Sequence, residues 1–315
     1  MPSGPGRRGP AVVALGGGHG LAMALRAARE YAGSITAIVS VADDGGSSGR
    51  LRRDLGVPPP GDIRRCLVAL AADDTVWSAA FEHRFAGGEL EGHALGNLVL
   101  VGLAETLGSF PAALDEAARL LGSVGRVLPA TTDPVVLKAE VAARPGGDGV
   151  KSQMESQVEG QVAVANCHGI LRVALVPSDA RPPADAVTAI LEADQVVMAP
   201  GSLFTSVMPV LCVEELRAAI ASTSGQVVQV CNLRPQAPET TGLDGTDHLE
   251  AVLAHGARVD VLLYQAGSDP VAGALAVDPD RVRARGVEPV GAAVARAEGL
   301  AHDPRQLAKA LHALL

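Results

Sequence analysis

Ala11-Val12-Val13-Ala14-Leu15 is an unbroken apolar run that ends on glycine, the pattern of a short strand buried on both faces. Leu21, Leu25 and Ala28 then share one face of a helix expected over 21–31, and the β-branched run 35–41 predicts a second strand. The first 41 residues therefore read as strand, glycine loop, helix and strand, a βαβ unit. Strand-like runs recur at 195–198, 226–230 and 259–263, alternating with helical patterns at 183–193, 213–223 and 248–255. This alternation predicts an α/β fold, a mostly parallel sheet with helices on both faces. Residues 62–122 read as largely helical, and 126–176 alternate apolar with polar positions, which predicts an inserted antiparallel subregion. Asp303 is expected to cap a last helix with Leu307, Leu311 and Leu314 on its buried face. Residues 1–9 carry no periodicity and are expected to be a disordered tail, leaving 10–315 as a single α/β domain.

The 315 residues hold 26 Lys and Arg against 35 Asp and Glu, a formal charge of −9, and only four Phe, two Tyr and one Trp. An acidic, aromatic-poor chain has little with which to hold a phosphate backbone or stack bases, so nucleic acid is not an expected partner. No apolar run approaches the ~20 residues that span a bilayer, so membrane insertion is not expected. Arg7-Arg8 precedes an apolar stretch as in a twin-arginine signal, but the glycines at 16–18 break it, and the expected location is the cytoplasm. Cys66, Cys167, Cys212 and Cys231 are widely spaced without Cys-x-x-Cys, and they read as small hydrophobes rather than a zinc or disulfide framework.

Candidate chemistry gathers where strands end. Gly16-Gly17-Gly18-His19-Gly20 lies between strand and helix, where backbone N–H groups and the helix N-terminus can cradle an anion. Leu21 stands where the dinucleotide fingerprint needs glycine, and there is no Gly-Lys-Ser/Thr of a P-loop. Asp43-Asp44-Gly45-Gly46-Ser47-Ser48-Gly49-Arg50 reads as a flexible loop at the end of the second strand. Its Asp43 or Asp44 could accept from a sugar hydroxyl, hold Mg²⁺ or act as a base, and Arg50 could fork onto a phosphate. The local alternative is a turn in which Asp44 caps the next helix. Asp62 is expected at the N-cap of the helix after Pro58-Pro59-Pro60-Gly61, and His93 and Asn97 stand at the start of another. The run 199–206, with Gly201, Ser202 and Thr205, follows a strand and opens a helix, a second cradle of N–H groups and hydroxyls, and Asn232 ends the next strand in the same manner. Neither cradle presents an evident pairing of nucleophile and base.

The segments 13–21 (VALGGGHGL), 36–52 (TAIVSVADDGGSSGRLR), 59–64 (PPGDIR), 92–98 (GHALGNL), 200–207 (PGSLFTSV) and 238–240 (PET) resemble the gluconeogenesis factor family, which is related to the 2-phospho-L-lactate transferase of coenzyme F420 biosynthesis. The resemblance implies a Rossmann-like nucleotide-binding core in a cytoplasmic bacterial protein needed for cell shape and envelope synthesis during gluconeogenic growth. It further implies a non-catalytic regulator that binds UDP-N-acetylglucosamine and contacts the amidotransferase that makes glucosamine 6-phosphate. Residues 16–20, Asp43, Asp44, Asn97, Gly201, Ser202 and Asn232 become candidate ligand contacts by motif. The alternative it carries is a phospholactyl transferase with a guanosine nucleotide-activated donor, a deazaflavin acceptor and Mg²⁺ on Asp43 or Asp44. Mg²⁺ is thus the one candidate cofactor, and a homo-oligomer is compatible with the sequence. Two positions depart from the family pattern. His19 stands where many members have Thr, and Ala301 where many have Arg before His-Asp.

Overall fold

The computed structural model describes residues 9–72, 75–142, 156–266 and 274–315. Most of the expected tail, residues 1–8, and the middle of the expected antiparallel subregion, 143–155, lie outside them. Among the described residues ten strands form two sheets. The strands are β1 (Ala11–Gly16), β2 (Ser34–Val39), β3 (Arg126–Pro129), β4 (Val136–Val141), β5 (Ser156–Glu159), β6 (Ile170–Val176), β7 (Gln195–Met198), β8 (Gln226–Val230), β9 (Val261–Gln265) and β10 (Glu288–Ala292). Seven make one parallel sheet in the order β10-β9-β8-β7-β1-β2-β3, and β5-β4-β6 make a small antiparallel one.

The first strand lies inside the sheet, between β7 and β2, because every residue in it is apolar and buried, and it pairs in register with β2 from Ala11 opposite Ser34 to Gly16 opposite Val39. On its other side β7 pairs with it from Val12 opposite Gln195 to Leu15 opposite Met198. The chain runs outward from β1 in one direction and outward from β7 in the other. The carboxyl ends of these two strands therefore flank the reversal point, where open α/β sheets bind their ligands.

Five helices place the chemistry: α1 (Gly18–Ala28), α2 (Gly46–Leu55), α3 (Gly61–Leu70), α4 (Val76–Glu82) and α5 (Leu95–Leu107). The inner face of α1 is Leu21, Ala22, Ala24, Leu25, Ala27 and Ala28, mostly small side chains that let it lie close to α3 and to the helix Pro304–His312. Asp303 caps that last helix as expected, accepting from the N–H groups of Arg305 and Gln306 at 2.9 Å each, and Leu307 and Leu311 are buried beneath it.

Several expectations are corrected. The helix expected from Leu21 begins at Gly18, so part of the glycine loop is its first turn. Gly46 to Arg50 is no flexible loop but the start of α2, with the backbone of Asp44 packed so closely on it that a Cβ at Gly49 would stand 1.9 Å from the Asp44 carbonyl oxygen. Residues 126–129 belong to the parallel sheet, so the antiparallel excursion begins only at β4. Strand β10 had no counterpart in the sequence pattern. No helix among the described residues is long and apolar enough to cross a membrane.

Candidate functional site

Two glycine-bearing loops cross at the sheet reversal. The first turn of α1 passes the turn after β7 so closely that a Cβ at Gly20 would lie 1.7 Å from the Pro200 carbonyl oxygen. Asn232, at the end of β8, fixes the second loop by pairing with both sides of Gly201: Oδ1 accepts from its N–H and Nδ2 donates to its carbonyl, each at 2.7 Å. On either side of the crossing lies a cleft.

The first cleft, of about 340 Å³, is polar. Gly18, Asp43, Gly45, Gly46, Ser47, Asp62, Asn97, Ser202 and Thr205 line it, which gathers nine of the seventeen residues singled out from the sequence. The second, of about 270 Å³, takes His19, Gly20, Gly201 and Asn232 together with apolar Met23, Leu233 and Leu300. Ala301 and His302 line it as well. Among the described residues neither cleft is lined by Phe, Tyr or Trp. Four singled-out residues line neither: Gly16 and Gly17, which shape the turn, and Asp44 and Arg50, which face elsewhere.

Asp44 turns to the antiparallel subregion. Its two carboxylate oxygens accept from the N–H groups of Gln161 (3.0 Å) and Val162 (2.9 Å), at the start of the short helix Gln161–Ala165. It therefore caps a helix, but a distant one. Arg50 donates to the carbonyl of Glu91 at 2.8 Å instead of reaching into the cleft. Asp62 is no N-cap either. Pro60 holds that position, and from the first turn of α3 the Asp62 carboxylate reaches across to accept from Gly18 N–H at 2.7 Å while pairing with Arg65 at 2.6 Å. The carboxylate facing Asp43 is thus Asp62, not Asp44. Burial chiefly, and then the Asp62 charge, raise the pKa of Asp43 from its ordinary value, against the hydrogen bond from Gly45 N–H.

The second cradle is likewise filled from within. Glu239, buried and distant in sequence, accepts at Oε1 from the N–H groups of Phe204 (2.6 Å) and Thr205 (3.2 Å) and at Oε2 from the Thr205 hydroxyl (3.2 Å). Burial raises its pKa. A carboxylate here does what an anionic ligand was expected to do, and the Ser202 and Thr205 loop offers the cleft its walls more than its N–H groups.

Behind the first cleft runs a buried polar chain. Arg64, 2% exposed, pairs with Glu82 at 2.6 Å and donates to the Phe81 carbonyl and to Asn97 Oδ1, each at 3.1 Å. Asn97 Nδ2 donates to Ser47 Oγ at 3.0 Å, and Ser47 Oγ lies 3.0 Å from His93 Nδ1. Sequence reasoning singled out Ser47 and Asn97 but missed Arg64, whose only signal was its place at the end of the Pro-Pro-Gly-Asp-Ile-Arg segment.

The family model of 2-phospho-L-lactate transferase CofD matches residues 12–295. A Mycobacterium tuberculosis protein named "Putative gluconeogenesis factor" is 47% identical over 249 residues, 78% of this chain and 72% of its own. The gluconeogenesis factor of Halalkalibacterium halodurans is 41% identical over 258 residues, 80% of this chain and 77% of its own. A crystal structure of a UPF0052-family protein from Bacillus halodurans superimposes with a TM-score of 0.88 at 36% identity, covering 97% of this chain and 99% of that one.

Proposed function

The chain belongs to the 2-phospho-L-lactate transferase CofD family, and from that premise we propose that it is a regulatory protein that binds a nucleotide sugar, UDP-N-acetylglucosamine, across the two clefts. The observation that carries this reading is the crossing of the loops at Gly20 and Pro200, with a polar cleft on one side and a more apolar one on the other. A diphosphate at the crossing would lie against the start of α1, the base against Met23, Leu233 and Leu300, and the sugar among the hydroxyls and carboxylates of the first cleft. The clefts together reach the ~300–1,000 Å³ of small-molecule sites. Their lack of aromatic walls favours an aliphatic sugar over a flat tricyclic acceptor. Occupancy would change the surface around the crossing that a partner reads, the amidotransferase that makes glucosamine 6-phosphate being the partner proposed, during growth in which carbon for the envelope must be made.

The second reading, phospholactyl transfer, is favoured by the pairing of Asp43 with Asp62. Two carboxylates with the Ser48 hydroxyl beside them fit Mg²⁺, which usually takes one or two carboxylates and completes its shell with water and substrate phosphate. Bound there, Mg²⁺ would supply positive charge against a substrate phosphate; Asp43 and Asp62 would hold it, and Arg64 and Arg65 would orient the anion. Among the described residues no group of three or more His, Cys, Asp and Glu forms an all-protein metal site.

Calorimetric titration with UDP-N-acetylglucosamine and with GDP, each with and without Mg²⁺, separates the two. Micromolar binding of the UDP-sugar, weakened by Asp43→Asn, is the expected outcome. Absence of UDP-sugar binding with Mg²⁺-dependent binding of GDP would overturn the first reading in favour of the second.

A further inference from the structure

We propose that Ser47 is a nucleophilic hydroxyl, with His93 as the base that takes its proton, and that it accepts a phosphoryl group from a phosphate ester or anhydride held in the polar cleft. The pair is invisible in the sequence, because 46 residues separate its members. Folding brings Ser47 Oγ to 3.0 Å from His93 Nδ1, within the distance at which a hydroxyl can hand its proton to an imidazole.

The neighbours fix the serine in place. Asn97 Nδ2 donates to Ser47 Oγ at 3.0 Å, and the Asn97 amide is held in that orientation because its Oδ1 accepts from Arg64 Nε at 3.1 Å. Arg64 is fixed in turn by Glu82 and by the Phe81 carbonyl. The serine oxygen therefore receives a hydrogen bond from the amide, and in the tautomer with the imidazole proton on Nε2 the serine proton goes to His93 Nδ1. Burial, aided by the nearby Arg50 charge, lowers the His93 pKa, which favours the neutral form that a base needs. Ser47 is also the second residue of the ten-residue α2, so the helix N-terminus favours negative charge building on and beside its oxygen. Arg64, Arg65 and Arg84 line the same cleft and suit the equatorial oxygens of a phosphoryl group better than a neutral acyl carbon.

In the step, Ser47 Oγ attacks phosphorus, the Oγ–P bond forms as the bond from phosphorus to the leaving oxygen breaks, and that oxygen departs with the electron pair. The serine proton passes to His93 Nδ1, and the leaving oxygen, on the far side of phosphorus, takes its proton from water in the cleft. Water can clear the phosphoserine by in-line attack from the cleft: the O–P bond to water forms as the Oγ–P bond breaks, the water proton is lost to solvent, and His93 returns the proton it holds to Ser47 Oγ. The proposal rests on the first cleft accepting phosphorylated ligands, but not on which nucleotide it prefers.

Diisopropyl fluorophosphate tests it without a natural substrate: the Oγ–P bond forms, the P–F bond breaks, fluoride leaves and the proton goes to His93. With the full chain, peptide mapping by mass spectrometry should place the adduct on Ser47, forming at least ~100-fold faster in the folded protein than at the same serine in urea. Ser47→Ala should remove the adduct and His93→Gln should slow it by ~100-fold or more. A folded-state rate no higher than that in urea, an adduct on another serine, or an unchanged rate in His93→Gln would overturn the proposal. Nucleotide binding without labelling would sink this proposal alone, and labelling without nucleotide binding would sink the binding reading alone.

Discussion

The carboxylate of Asp62 accepts a hydrogen bond from the N–H of Gly18 at 2.7 Å, so the glycine turn already carries a negative charge where a phosphate would be expected. An incoming phosphate must displace that carboxylate or share its neighbourhood through a cation, since two adjacent anions repel strongly in a partly buried cleft. Replacing it by a neutral amide removes the repulsion and the need for a bridging cation. Asp62→Asn should therefore tighten metal-free nucleotide binding about tenfold, about 1.4 kcal/mol, and flatten the response to Mg²⁺. Calorimetry with and without Mg²⁺ measures both, and unchanged metal-free affinity would count against the competition.

The loop crossing makes opposite demands on two neighbouring glycines. Gly18 has φ +62 with open space around its missing Cβ, whereas Gly20 faces the Pro200 carbonyl oxygen at 1.7 Å from an ideal Cβ. Gly18→Ala should cost about 1 kcal/mol through the left-handed backbone alone. Gly20→Ala must push two backbone segments apart, a cost of about 1–3 kcal/mol or more, and should also move Pro200 and Gly201 between the clefts. Urea unfolding should rank the two variants in that order, and ligand affinity should fall further in Gly20→Ala than in Gly18→Ala.

The contrast explains what was legible in the sequence. The βαβ start could be read because an all-apolar strand, a glycine turn and a helical stripe are local patterns, and the alternation that followed gave the parallel sheet. Strand β10 could not, since Glu-Pro-Val-Gly-Ala has a proline and a glycine in five residues, and a sheet edge tolerates what a centre would not. In the site, the residues at strand ends were legible because ligand chemistry concentrates there. Their partners were not, because Asp44 meets Gln161, Glu239 meets Phe204 and Ser47 meets His93 only after folding. Arg64 was hidden by lying on a helix that is otherwise mostly buried and apolar.

Asp43 and Asp44 should separate cleanly on mutation. Asp44 holds the N–H groups of Gln161 and Val162, so Asp44→Ala should loosen the helix Gln161–Ala165 and raise its amide hydrogen exchange, at a cost of about 1 kcal/mol for a lost cap. Because Gln161 also lines the first cleft, ligand affinity should drop only slightly. Asp43 faces the cleft, and Asp43→Asn should weaken binding without raising exchange at 161–165. Equal loss of binding in both variants, with exchange unchanged, would return Asp44 to the ligand.

Acid should destabilise the protein through two histidines. Burial lowers the pKa of His248 and of His302 from 6.5 to about 4, in His248 against the opposing pull of Asp247 and Asp244. The unfolded chain takes up these protons near 6.5, whereas the folded protein refuses them until about 4. Their contribution is therefore fully present above pH 6.5 and is lost as pH falls toward 4, by up to roughly 3 kcal/mol for each group. Asp43 and Glu239 act with the opposite sign: burial raises their pKa values, so the folded state takes up their protons first and acidification favours it. Urea midpoints measured from pH 7 to pH 4.5 should fall. Replacing both histidines by Gln should remove much of that fall, while Glu239→Gln should steepen it. An unchanged pH profile in the double histidine variant would mean that neither imidazole is held neutral by the fold.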